Sequence, residues 1–454
     1  MKVTAVLLAA GQGTRMKSGL PKVLHPLCGK PMLWHVLEAL KDVVTEKPVV
    51  IVGHGAQDVK KYLGDGAECV LQEPQLGTGH AAMQAESLLT GKTDYVIVTY
   101  ADMPLLRAET FNRLLETQRL NSGPLSLLTV IADDPRGFGR ILRKKDGTVE
   151  AIVEEYVATP PQREIKELNV GAYCFKADWL WAALHRIEKN PMKGEYYLTD
   201  IVEIAVRDDL PVQAVVHDDF IETIGINTRI HLSEAEAALR TRINHQHMLN
   251  GVGMMDPRST YIDMGVKIGR DTALLPDTYI HGSTEIGEGN IIGPNTIIRD
   301  SRIGNHCKVL ASVMEGARIE DDVDIGPFAR LRKGAHLKSH VHMGNFGEIK
   351  DSTLGEGVKI GHFSYIGNAT IGANTNIGAG TITANYDGEK KNPTEIGEDV
   401  FIGSDTMLIA PLKLGDGART GAGAVVTKNV PEDTLVVGMP ARAIRKVERK
   451  KKKG

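Results

Sequence analysis

The first chemical feature of the sequence is a glycine-rich segment followed closely by two cationic side chains. Residues 8–16 read LAAGQGTRM and residues 20–25 read LPKVLH, which places Arg15 and Lys22 just after the glycines. Glycines let backbone N–H groups approach phosphate oxygens, and the cations neutralise a polyphosphate. The segment matches neither GxxxxGK(S/T) nor a complete GxGxxG. Taken alone it is either a tight structural loop or a phosphate-binding loop outside the common ATPase and dinucleotide classes.

Further polar motifs recur through the first half of the chain. They are Gln72, QLGTGHA (75–81), YAD (100–102), GFGR (137–140), IVE (152–154), ELN (167–169), GEYYLTD (194–200) and GIN (225–227). Asp102 closes an apolar run, a position where an aspartate either caps a helix or belongs to a site. The set as a whole favours a site.

The elements that must position these motifs alternate between strand and helix. Apolar runs at 3–10, 48–53, 95–102 and 125–132 read as strands, with helical stretches between them. Their continuous apolar character predicts strands buried on both faces of a mostly parallel sheet. Ligands of such sheets lie at the carboxyl ends of the strands, so the loops after strands are the expected place for a site.

A connecting helix is predicted over residues 228–250. An apolar stripe along one helical face would be formed by Ile230, Ala235, Leu239 and Ile243. The sequence Ser233-x-x-Glu236 resembles a capping box. We expect this helix to separate a domain over 1–227 from a second over 251–454, which ends in a basic tail.

The second half carries an aliphatic residue followed by glycine, mostly at intervals of six residues or their multiples. The pairs run from Ile268-Gly269 to Leu414-Gly415. Such self-similarity predicts a parallel β-helix of hexapeptides, with aliphatic side chains in the core and glycines at tight corners. It also explains two features of the composition. Glycine, with 48 of the 454 residues, exceeds its usual share of ~7%, and only 5% of the residues are aromatic.

The predicted β-helix also carries polar residues that its core does not need. They are Arg330, Arg332, Lys350, His362, Tyr365, Asn376, Asn385 and Tyr386. An imidazole can accept a proton from an attacking amine, so His362 is a candidate general base. His336, His340 and His342 have metal-like spacing, but alternate positions of a coil face solvent or a neighbouring subunit, so we do not expect a zinc site.

The N-terminal motifs resemble those of the sugar-1-phosphate nucleotidylyltransferases. With the hexapeptide half, nearly the whole chain resembles the bacterial bifunctional N-acetylglucosamine-1-phosphate uridylyltransferase/glucosamine-1-phosphate N-acetyltransferases. The resemblance implies an α/β, Rossmann-like domain followed by a left-handed parallel β-helix. It implies acetylation of glucosamine 1-phosphate by acetyl-CoA, then UMP transfer from UTP with release of pyrophosphate. The product would be UDP-N-acetylglucosamine, for peptidoglycan and cell-wall synthesis.

The resemblance also implies site residues for uridylyl transfer. Nucleotide and phosphates would meet Leu8, Ala9, Ala10, Gly11, Arg15 and Lys22, the last two in catalytic roles; uracil would meet Gln72, Gly77 and Thr78. Further substrate contacts would come from Tyr100, Ala101 and Asp102, sugar contacts from Gly139, Glu154 and Asn169, and Mg²⁺ ligands from Asp102 and Asn227. A sugar phosphate is already an anionic nucleophile, so catalysis reduces to positioning and charge neutralisation. Mg²⁺ suits such a sparse oxygen shell.

For acetyl transfer the resemblance implies His362 as the general base. Glucosamine 1-phosphate would bind Arg332, Lys350, Tyr365 and Asn376, and acetyl-CoA would bind Ala379, Asn385, Tyr386, Ser404 and Ala422. It implies a homotrimer whose acetylation sites are shared between subunits.

The sequence departs from the family pattern at three places. Ala101 stands where the family has the glycine of Tyr-Gly-Asp. The family's Glu-x-Lys-Asp reads Glu154-Glu155-Tyr156-Val157 here, which changes contacts near the sugar. Met439 stands where an arginine near CoA is common, and Arg442 is a candidate replacement.

Composition limits the class of protein. Lys and Arg number 54 against 57 Asp and Glu, a net charge of −3, so we expect no nucleic-acid or membrane partner. The cysteines are far apart and form no CxxC pair: Cys28, Cys69, Cys174 and Cys307. With an N-terminal apolar run too short for a membrane span and no cleavage-site pattern, this favours a cytoplasmic protein. The basic run from Arg445 to Lys453 reads as a solvated tail or as a contact with an acidic partner.

Two alternatives to the bifunctional enzyme remain open at this point. One is a single-function sugar-1-phosphate nucleotidylyltransferase whose β-helix is regulatory or only forms a trimer. The other is a structural or regulatory trimer that binds a nucleotide sugar without turning it over.

Overall fold

The computed structural model describes residues 1–447, and the chain divides into two compact units, one over residues 1–239 and one from Arg240 onward. The end of the predicted basic tail, residues 448–454, lies outside the described residues. Across residues 1–447, none of the helices combines the length and apolarity that a membrane span requires.

The first unit alternates strands and helices, as predicted. Its strands are β1 Val3–Ala9, β2 Pro26–Leu27, β3 Lys30–Pro31, β4 Val49–Val52, β5 Glu68–Leu71, β6 Tyr95–Tyr100, β7 Leu125–Ile131, β8 Arg140–Arg143, β9 Val149–Val153, β10 Glu167–Lys176 and β11 Val212–His217. Its helices are α1 Met32–Leu40, α2 Ala56–Leu63, α3 Thr78–Met83, α4 Glu86–Leu89, α5 Ala108–Leu120, α6 Pro160–Arg163, α7 Ala177–Leu184 and α8 Ile201–Arg207. Short 3₁₀ turns lie at Thr14–Met16, Lys22–Leu24, Leu198–Asp200 and Phe220–Thr223.

The central sheet has the strand order β11-β7-β10-β6-β1-β4-β5. β1 pairs in parallel with β4 and β6, whereas β10 runs antiparallel to both of its neighbours in this order. β8 pairs with β10 and β9 as an antiparallel extension. Every residue of β1 is buried, because hydrophobic clusters cover both faces of the sheet, one around Trp181 and one around Phe111. The mostly parallel sheet is therefore confirmed.

The connecting helix α9 spans Arg229–Leu249, close to the prediction, but its cap differs. The hydroxyl oxygen of Thr228 accepts the N–H of His231 at 3.2 Å, so the cap is Thr228. The predicted capping box was wrong, because Ser233 lies inside the helix. The predicted stripe is only partly buried: Ile230 is 70% exposed, whereas Ala235, Leu239 and Ile243 are buried.

The second unit is a parallel β-helix of short strands, as the hexapeptide period predicts, and it is left-handed, as the family resemblance implies. Its strands are β12 Gly253–Met254, β13 Thr260–Ile262, β14 Lys267–Ile268, β15 Ala273–Leu274, β16 Thr278–His281, β17 Glu285–Ile286, β18 Ile291–Ile292, β19 Thr296–Arg299, β20 Arg302–Ile303, β21 Lys308–Val309, β22 Val313–Glu315, β23 Arg318–Ile319, β24 Asp324–Ile325, β25 Arg330–Leu331, β26 His336–Leu337, β27 His342–Asn345, β28 Glu348–Lys350, β29 Thr353–Leu354, β30 Lys359–His362, β31 Tyr365–Gly367, β32 Ala369–Ile371, β33 Asn376–Ile377, β34 Ile382–Ala384, β35 Thr394–Ile396, β36 Phe401–Ile402, β37 Met407–Ile409, β38 Leu412–Leu414, β39 Arg419–Thr420, β40 Val425–Val426, β41 Thr434–Val437 and β42 Arg442–Lys446.

Every third strand joins the same sheet, so three parallel sheets form the faces of a prism. The first face begins with β12, β15 and β18, the second with β13, β16 and β19, and the third with β14, β17 and β20. The aliphatic residues of the repeat fill the interior, as predicted; Ile292, Leu331 and Ile402 are fully buried.

Gly293 and Gly326 have the positive φ expected of a tight corner, with values of 101° and 99°, but most glycines of the repeat serve another purpose. A Cβ added to Gly372 would lie 2.5 Å from the carbonyl carbon of Gly397 on the next coil, and one on Gly403 would lie 2.7 Å from the nitrogen of Ala422. Close stacking of coils therefore excludes a side chain. Many corners with positive φ carry aspartate or asparagine instead, for example Asp277 and Asn295, since these residues tolerate that conformation.

One coil is longer than its neighbours. Residues that meet on adjacent coils are typically 17 apart, as His362 and Asn345 are. Val400 and Thr375 also meet on adjacent coils but are 25 apart. The additional residues form the loop 385–393, which projects from the prism between β34 and β35.

Candidate active sites

The first unit has a cavity of about 680 Å³ at the carboxyl ends of β1 and β6. The predicted residues that line it are Leu8, Ala9, Ala10, Gly11, Arg15, Lys22, Gln72, Gly77, Thr78, Tyr100 and Asp102. The glycine-rich loop, the YAD motif and the QLGTGHA motif thus meet at one edge of the sheet. This is the edge where ligands of parallel sheets bind.

Lys22 joins two oxygen groups at the mouth of this cavity. Its ammonium forms an ion pair with Oδ2 of Asp102 and donates a hydrogen bond to Oδ1 of Asn227 at 2.8 Å. Nη2 of Arg15 donates to the same Asn227 oxygen at 3.0 Å. A carboxylate and an amide oxygen therefore converge on one cation position. This donor set fits Mg²⁺, which accepts a few protein oxygens and completes its shell with water and phosphates.

The QLGTGHA segment is fixed by Gln72 and by the 194–200 segment. Nε2 of the buried Gln72 donates to the carbonyl of Gly77 at 2.9 Å and lies 3.1 Å from Nδ1 of His80, whose pKa is lowered by burial. Thr78 accepts the N–H of Leu198 at 3.0 Å. Gly77 has φ +98°, and a Cβ there would lie 2.5 Å from a backbone oxygen, so only glycine fits.

The three predicted sugar residues lie in β10 or next to its antiparallel extension β8–β9, and none of them is among the residues that line the cavity. Gly139 precedes β8, Glu154 follows β9 and Asn169 lies in β10. The N–H of Asn169 donates to the Gly139 carbonyl at 2.9 Å, and its side-chain amide donates to the Tyr173 hydroxyl at 2.7 Å. Burial raises the pKa of Glu154, and a 3.0 Å hydrogen bond from Thr199 opposes that shift.

Ala101 is placed differently from its neighbours in the YAD motif. Its side chain is fully buried in the hydrophobic cluster around Phe111, and its N–H donates to the Leu8 carbonyl at 3.1 Å. Among the residues that line the cavity, the sequence assigned no role to Gln75, Glu195 or Tyr197. Gln75 donates to the carbonyl of Ala10 at 2.7 Å and so fixes the glycine-rich loop. These residues lie within or beside quoted motifs, but their types alone indicated no chemistry.

On the β-helix, His362 ends β30 beside Asn345, which ends β27 one coil earlier. Nδ1 of His362 lies 2.5 Å from Oδ1 of Asn345. An amide oxygen only accepts, so Nδ1 carries the proton and Nε2 keeps a free lone pair. Nε2 is therefore the basic nitrogen. The sequence did not single out Asn345, although it lies one coil length before His362.

Three cations gather on the second face. Nη1 of Arg332 donates to Oε1 of Glu348 at 2.9 Å, and Lys391 and Arg332 both lower the pKa of Lys350. Tyr365 lies in register with Glu348, on the coil next to Lys350. Lys391 comes from the 385–393 loop, and no role was predicted for it from the sequence. Like charges held together in this way suit a dianionic phosphate.

A column of small residues continues from His362 along the prism. Backbone bonds Gly380 N–H to His362 O (3.3 Å), Asp405 N–H to Ala379 O (2.6 Å) and Gly423 N–H to Ser404 O (2.8 Å) show that His362, Ala379, Ser404 and Ala422 occupy one position on successive coils. The predicted acetyl-CoA residues Ala379, Ser404 and Ala422 therefore line up behind the base.

The remaining predicted acetyl-site residues lie near this column. Asn376 is in register with Lys359 and Phe401 on the same face. Asn385 is buried and donates to Asn368 at 2.7 Å, whereas Tyr386 is 62% exposed.

The three histidines with metal-like spacing each face an acid of the preceding coil. The pairs are His336 with Glu320 at 2.9 Å, His340 with Asp322 at 3.9 Å and His342 with Asp324 at 2.9 Å. Among residues 1–447, no three His, Cys, Asp or Glu side chains group in a way that could hold a metal. Ion pairing explains the positions of these histidines.

Fold and sites together define a two-part transferase, with a nucleotidyltransferase domain followed by a hexapeptide-repeat transferase domain. Residues 5–142 match the MobA-like NTP transferase domain family, and residues 265–300, 351–385 and 393–428 match the bacterial transferase hexapeptide family. The chain belongs to the family of the bifunctional protein GlmU. Relatives of that name include proteins from Geobacillus sp. (47% identical over 98% of this chain and 97% of the relative), Geobacillus thermodenitrificans (49%, 98% and 97%) and Listeria monocytogenes serovar 1/2a (45%, 95% and 94%). The predicted family and transferase class are thus confirmed.

Proposed function

We propose that this chain makes UDP-N-acetylglucosamine in two steps at two separate sites. The β-helix transfers an acetyl group from acetyl-CoA to glucosamine 1-phosphate. The first domain then transfers UMP from UTP to the acetylated sugar phosphate and releases pyrophosphate. The observation that carries the proposal is the base at His362, with its lone pair at Nε2, on a prism that also carries the Arg332, Lys350 and Lys391 cations.

In the acetyl site the cations would hold the phosphate of glucosamine 1-phosphate and so orient its amine. Nε2 of His362 removes a proton as the amine attacks the thioester carbon, and the CoA thiolate leaves when the tetrahedral intermediate collapses. Asn345 keeps Nδ1 protonated through its carbonyl oxygen, which stabilises the imidazolium formed in this step. The column at Ala379, Ser404 and Ala422 leaves room for the pantetheine arm, because none of its side chains is large.

In the uridylyl site the sugar phosphate attacks the α-phosphorus of UTP, and pyrophosphate leaves in line. Arg15 and Lys22 neutralise the phosphate oxygens, and the backbone of residues 8–11 faces them. We propose Asp102 and Asn227 as ligands of Mg²⁺, which when bound would neutralise the negative charge that develops on the phosphates. Gln72, Gly77 and Thr78 would contact uracil, and Gly139, Glu154 and Asn169 would contact the sugar.

We also propose that three copies of this chain assemble through the β-helix. Phe328, Phe346 and Phe363 stack on successive coils, with ring centroids 5.5 and 5.0 Å apart. Their exposures are 60%, 49% and 61%, and their φ values lie between 49° and 62°, a costly conformation for a bulky residue. Phe363 and Phe346 directly follow His362 and Asn345, so a neighbouring copy on this phenylalanine column would border the base. The predicted homotrimer with shared sites is consistent with this surface.

Assembly is tested by expressing the fragment from residue 251 to 454. We expect a trimer by light scattering without the first domain, and dissociation of the fragment when Phe346→Ser is introduced, because apolar area would be lost from the interface. Phe401→Ser, at another half-exposed phenylalanine of the prism, is the control. A monodisperse monomeric fragment would overturn the proposal.

The two reactions are tested in one coupled assay with glucosamine 1-phosphate, acetyl-CoA, UTP and Mg²⁺. Free CoA thiol reports the first reaction and pyrophosphate the second. Release of pyrophosphate without thiol would favour the single-function nucleotidylyltransferase, and no release of either would favour the binding protein. We further propose that the chain acts in the cytoplasm, since its four cysteines form no disulfide among the described residues.

A further inference from the structure

Residues 188–197, between α7 and the turn at Leu198–Asp200, lie against the uridylyl cavity. Glu195 and Tyr197 of this segment line the cavity. Tyr196 fixes it to the QLGTGHA motif, since its N–H donates to the Leu76 carbonyl at 2.7 Å and its carbonyl accepts the Gly79 N–H at 2.8 Å. Lys193, in the same segment, has its own N–H held by Asn190 Oδ1 at 3.2 Å. Lys193 therefore extends from a segment that is anchored on both sides.

The ammonium of Lys193 lies 4.0 Å from the centre of the Tyr156 ring. This is a cation–π contact, in which the face of the ring attracts the charge. The Tyr156 ring lies in turn 6.0 Å from the ring of Tyr197 on the cavity wall. Tyr156 is half-buried, two residues after Glu154. The contact therefore joins the 188–197 segment to the segment that carries the predicted sugar-binding carboxylate.

Lys193 is also the cation that acts on Glu154. The groups that face Glu154 are Thr199, which donates at 3.0 Å, and the titratable side chains of Lys193, Asp200, Tyr100 and Tyr173. Apart from Lys193, these groups are neutral or acidic. The adjacent Glu155 is paired with the buried Arg140 at 2.5 Å, so that arginine is already engaged. Burial raises the pKa of Glu154, and Lys193 lowers it.

Position 156 is one of the positions where the sequence departs from the family pattern, which has lysine there. We propose that Lys193 is a specificity-determining residue for the sugar 1-phosphate, because from the 188–197 segment it holds a positive charge over the Tyr156 ring and beside Glu154. The inference rests on the proposed uridylyl transfer.

This role affects sugar recognition rather than the nucleotide. A charged Glu154 accepts hydrogen bonds from sugar hydroxyls, whereas a protonated one accepts fewer, and an ammonium nearby also offsets the repulsion between this carboxylate and an incoming phosphate. Lys193→Met keeps the length of the side chain and removes the charge. We expect its KM for N-acetylglucosamine 1-phosphate to rise about 5- to 10-fold, with the KM for UTP within about twofold.

Three further variants sharpen the test. Lys189→Met removes another exposed lysine from the same segment and serves as the matched control. Lys193→Arg should restore most of the affinity, since arginine also binds aromatic faces. The double variant Lys193→Met/Tyr156→Lys returns the charge to the family position, and we expect its KM for the sugar phosphate to fall to within about threefold of the wild type.

The pH profile gives a readout that a structural role would not change. Without Lys193 the pKa of Glu154 rises further, so the acid limb of kcat/KM for the sugar phosphate should move towards neutral pH in Lys193→Met and return in the double variant. A KM and an acid limb that match those of Lys189→Met would overturn the inference. Absence of turnover in the wild type would instead overturn the proposed uridylyl transfer, while an unchanged KM for UTP in each variant reports that the first domain is folded.

Discussion

Lys22 and Asp102 form an ion pair although they are 80 residues apart in the chain. Their side chains are 13% and 21% exposed, so both charges are largely withdrawn from water. The pair joins the glycine-rich loop to the carboxyl end of β6, and Asn227 completes the group from the segment before α9. The groups that the proposed reaction needs are therefore assembled before substrate binds, and removal of one partner leaves the other unpaired in a partly buried place.

Asp102→Ala should separate the two activities. We expect pyrophosphate release to fall at least ~10²-fold, because the proposed metal loses its only carboxylate ligand and Lys22 loses its partner. Acetyl transfer, measured as CoA thiol in the same preparation, should stay within about twofold because it needs no such ligand. Asp94→Ala, just before the opposite end of the same strand, is the matched control. Equal loss of both activities in folded Asp102→Ala would contradict separate sites.

His362→Ala should remove the base of acetyl transfer. The expected result is a kcat at least ~10²-fold lower with little change in substrate affinity, since the acceptor amine keeps its proton. Uridylyl transfer should not change. His342→Ala, on the same face and paired with Asp324, tests whether loss of any histidine has this effect. An acetylation kcat equal to that of the wild type, with the assembly intact, would place the base elsewhere.

Asp200 should make stability depend on pH. Burial, with help from Glu203 and Glu154, raises the pKa of Asp200 to about 6. Its neutral form is therefore favoured in the folded chain, and this stabilisation is present below the unfolded pKa near 3.8 and is lost as pH rises through about 6. We expect Asp200→Asn to raise the urea midpoint relative to the wild type at pH 7.5 and to have less effect at pH 4.5. A difference that is the same at both pH values would argue against a raised pKa.

Arg229→Ala should weaken nucleotide binding although Arg229 is not predicted to contact the nucleotide. The guanidinium donates to the Met16 carbonyl at 3.3 Å and lies 3.2 Å from Nδ1 of the buried His25, so it holds both ends of the segment that carries Lys22. Loss of these contacts should raise the KM for UTP about 5- to 10-fold and increase proteolysis at residues 14–25. Arg229→Lys should recover part of the effect, and Arg113→Ala on α5 should have none. A KM for UTP equal to that of Arg113→Ala would show that residues 14–25 keep their conformation without Arg229.

The periodic features were predictable from the sequence, and features created by stacking were not. The strand at Val3–Ala9 and the β-helix core follow from local patterns, a continuous apolar run and a repeat of aliphatic residues. Asn345 and Lys391 gained their roles only because a whole coil or an inserted loop brings them beside His362 and Lys350. The distance along the chain between such partners depends on the number of residues in a coil, and the motifs alone do not reveal that number.

Two sequence interpretations failed because the same residues are used in tertiary contacts that a local pattern does not show. Ser233-x-x-Glu236 fits the capping pattern, but Glu236 accepts the N–H of Cys28 at 2.9 Å, and Thr228 starts the helix. The glycines of most aliphatic-glycine pairs fit a tight corner, but at positions such as Gly372 and Gly403 the contact that requires glycine comes from the next coil. In both cases a tertiary contact decided between two uses of the same residue type.

The prism advances by one strand spacing, about 4.8 Å, with each coil, so the number of preceding coils only sets where the column of His362, Ala379, Ser404 and Ala422 lies along the prism. The column needs an unbroken run of coils from Asn345 to Ala422. Removal or addition of a whole coil between Gly253 and Ile325 would change the height of the prism and leave that run intact. The same change inside the run would move His362 out of line with Ala379. The number of coils can therefore vary between Gly253 and Ile325, whereas it is fixed between Asn345 and Ala422.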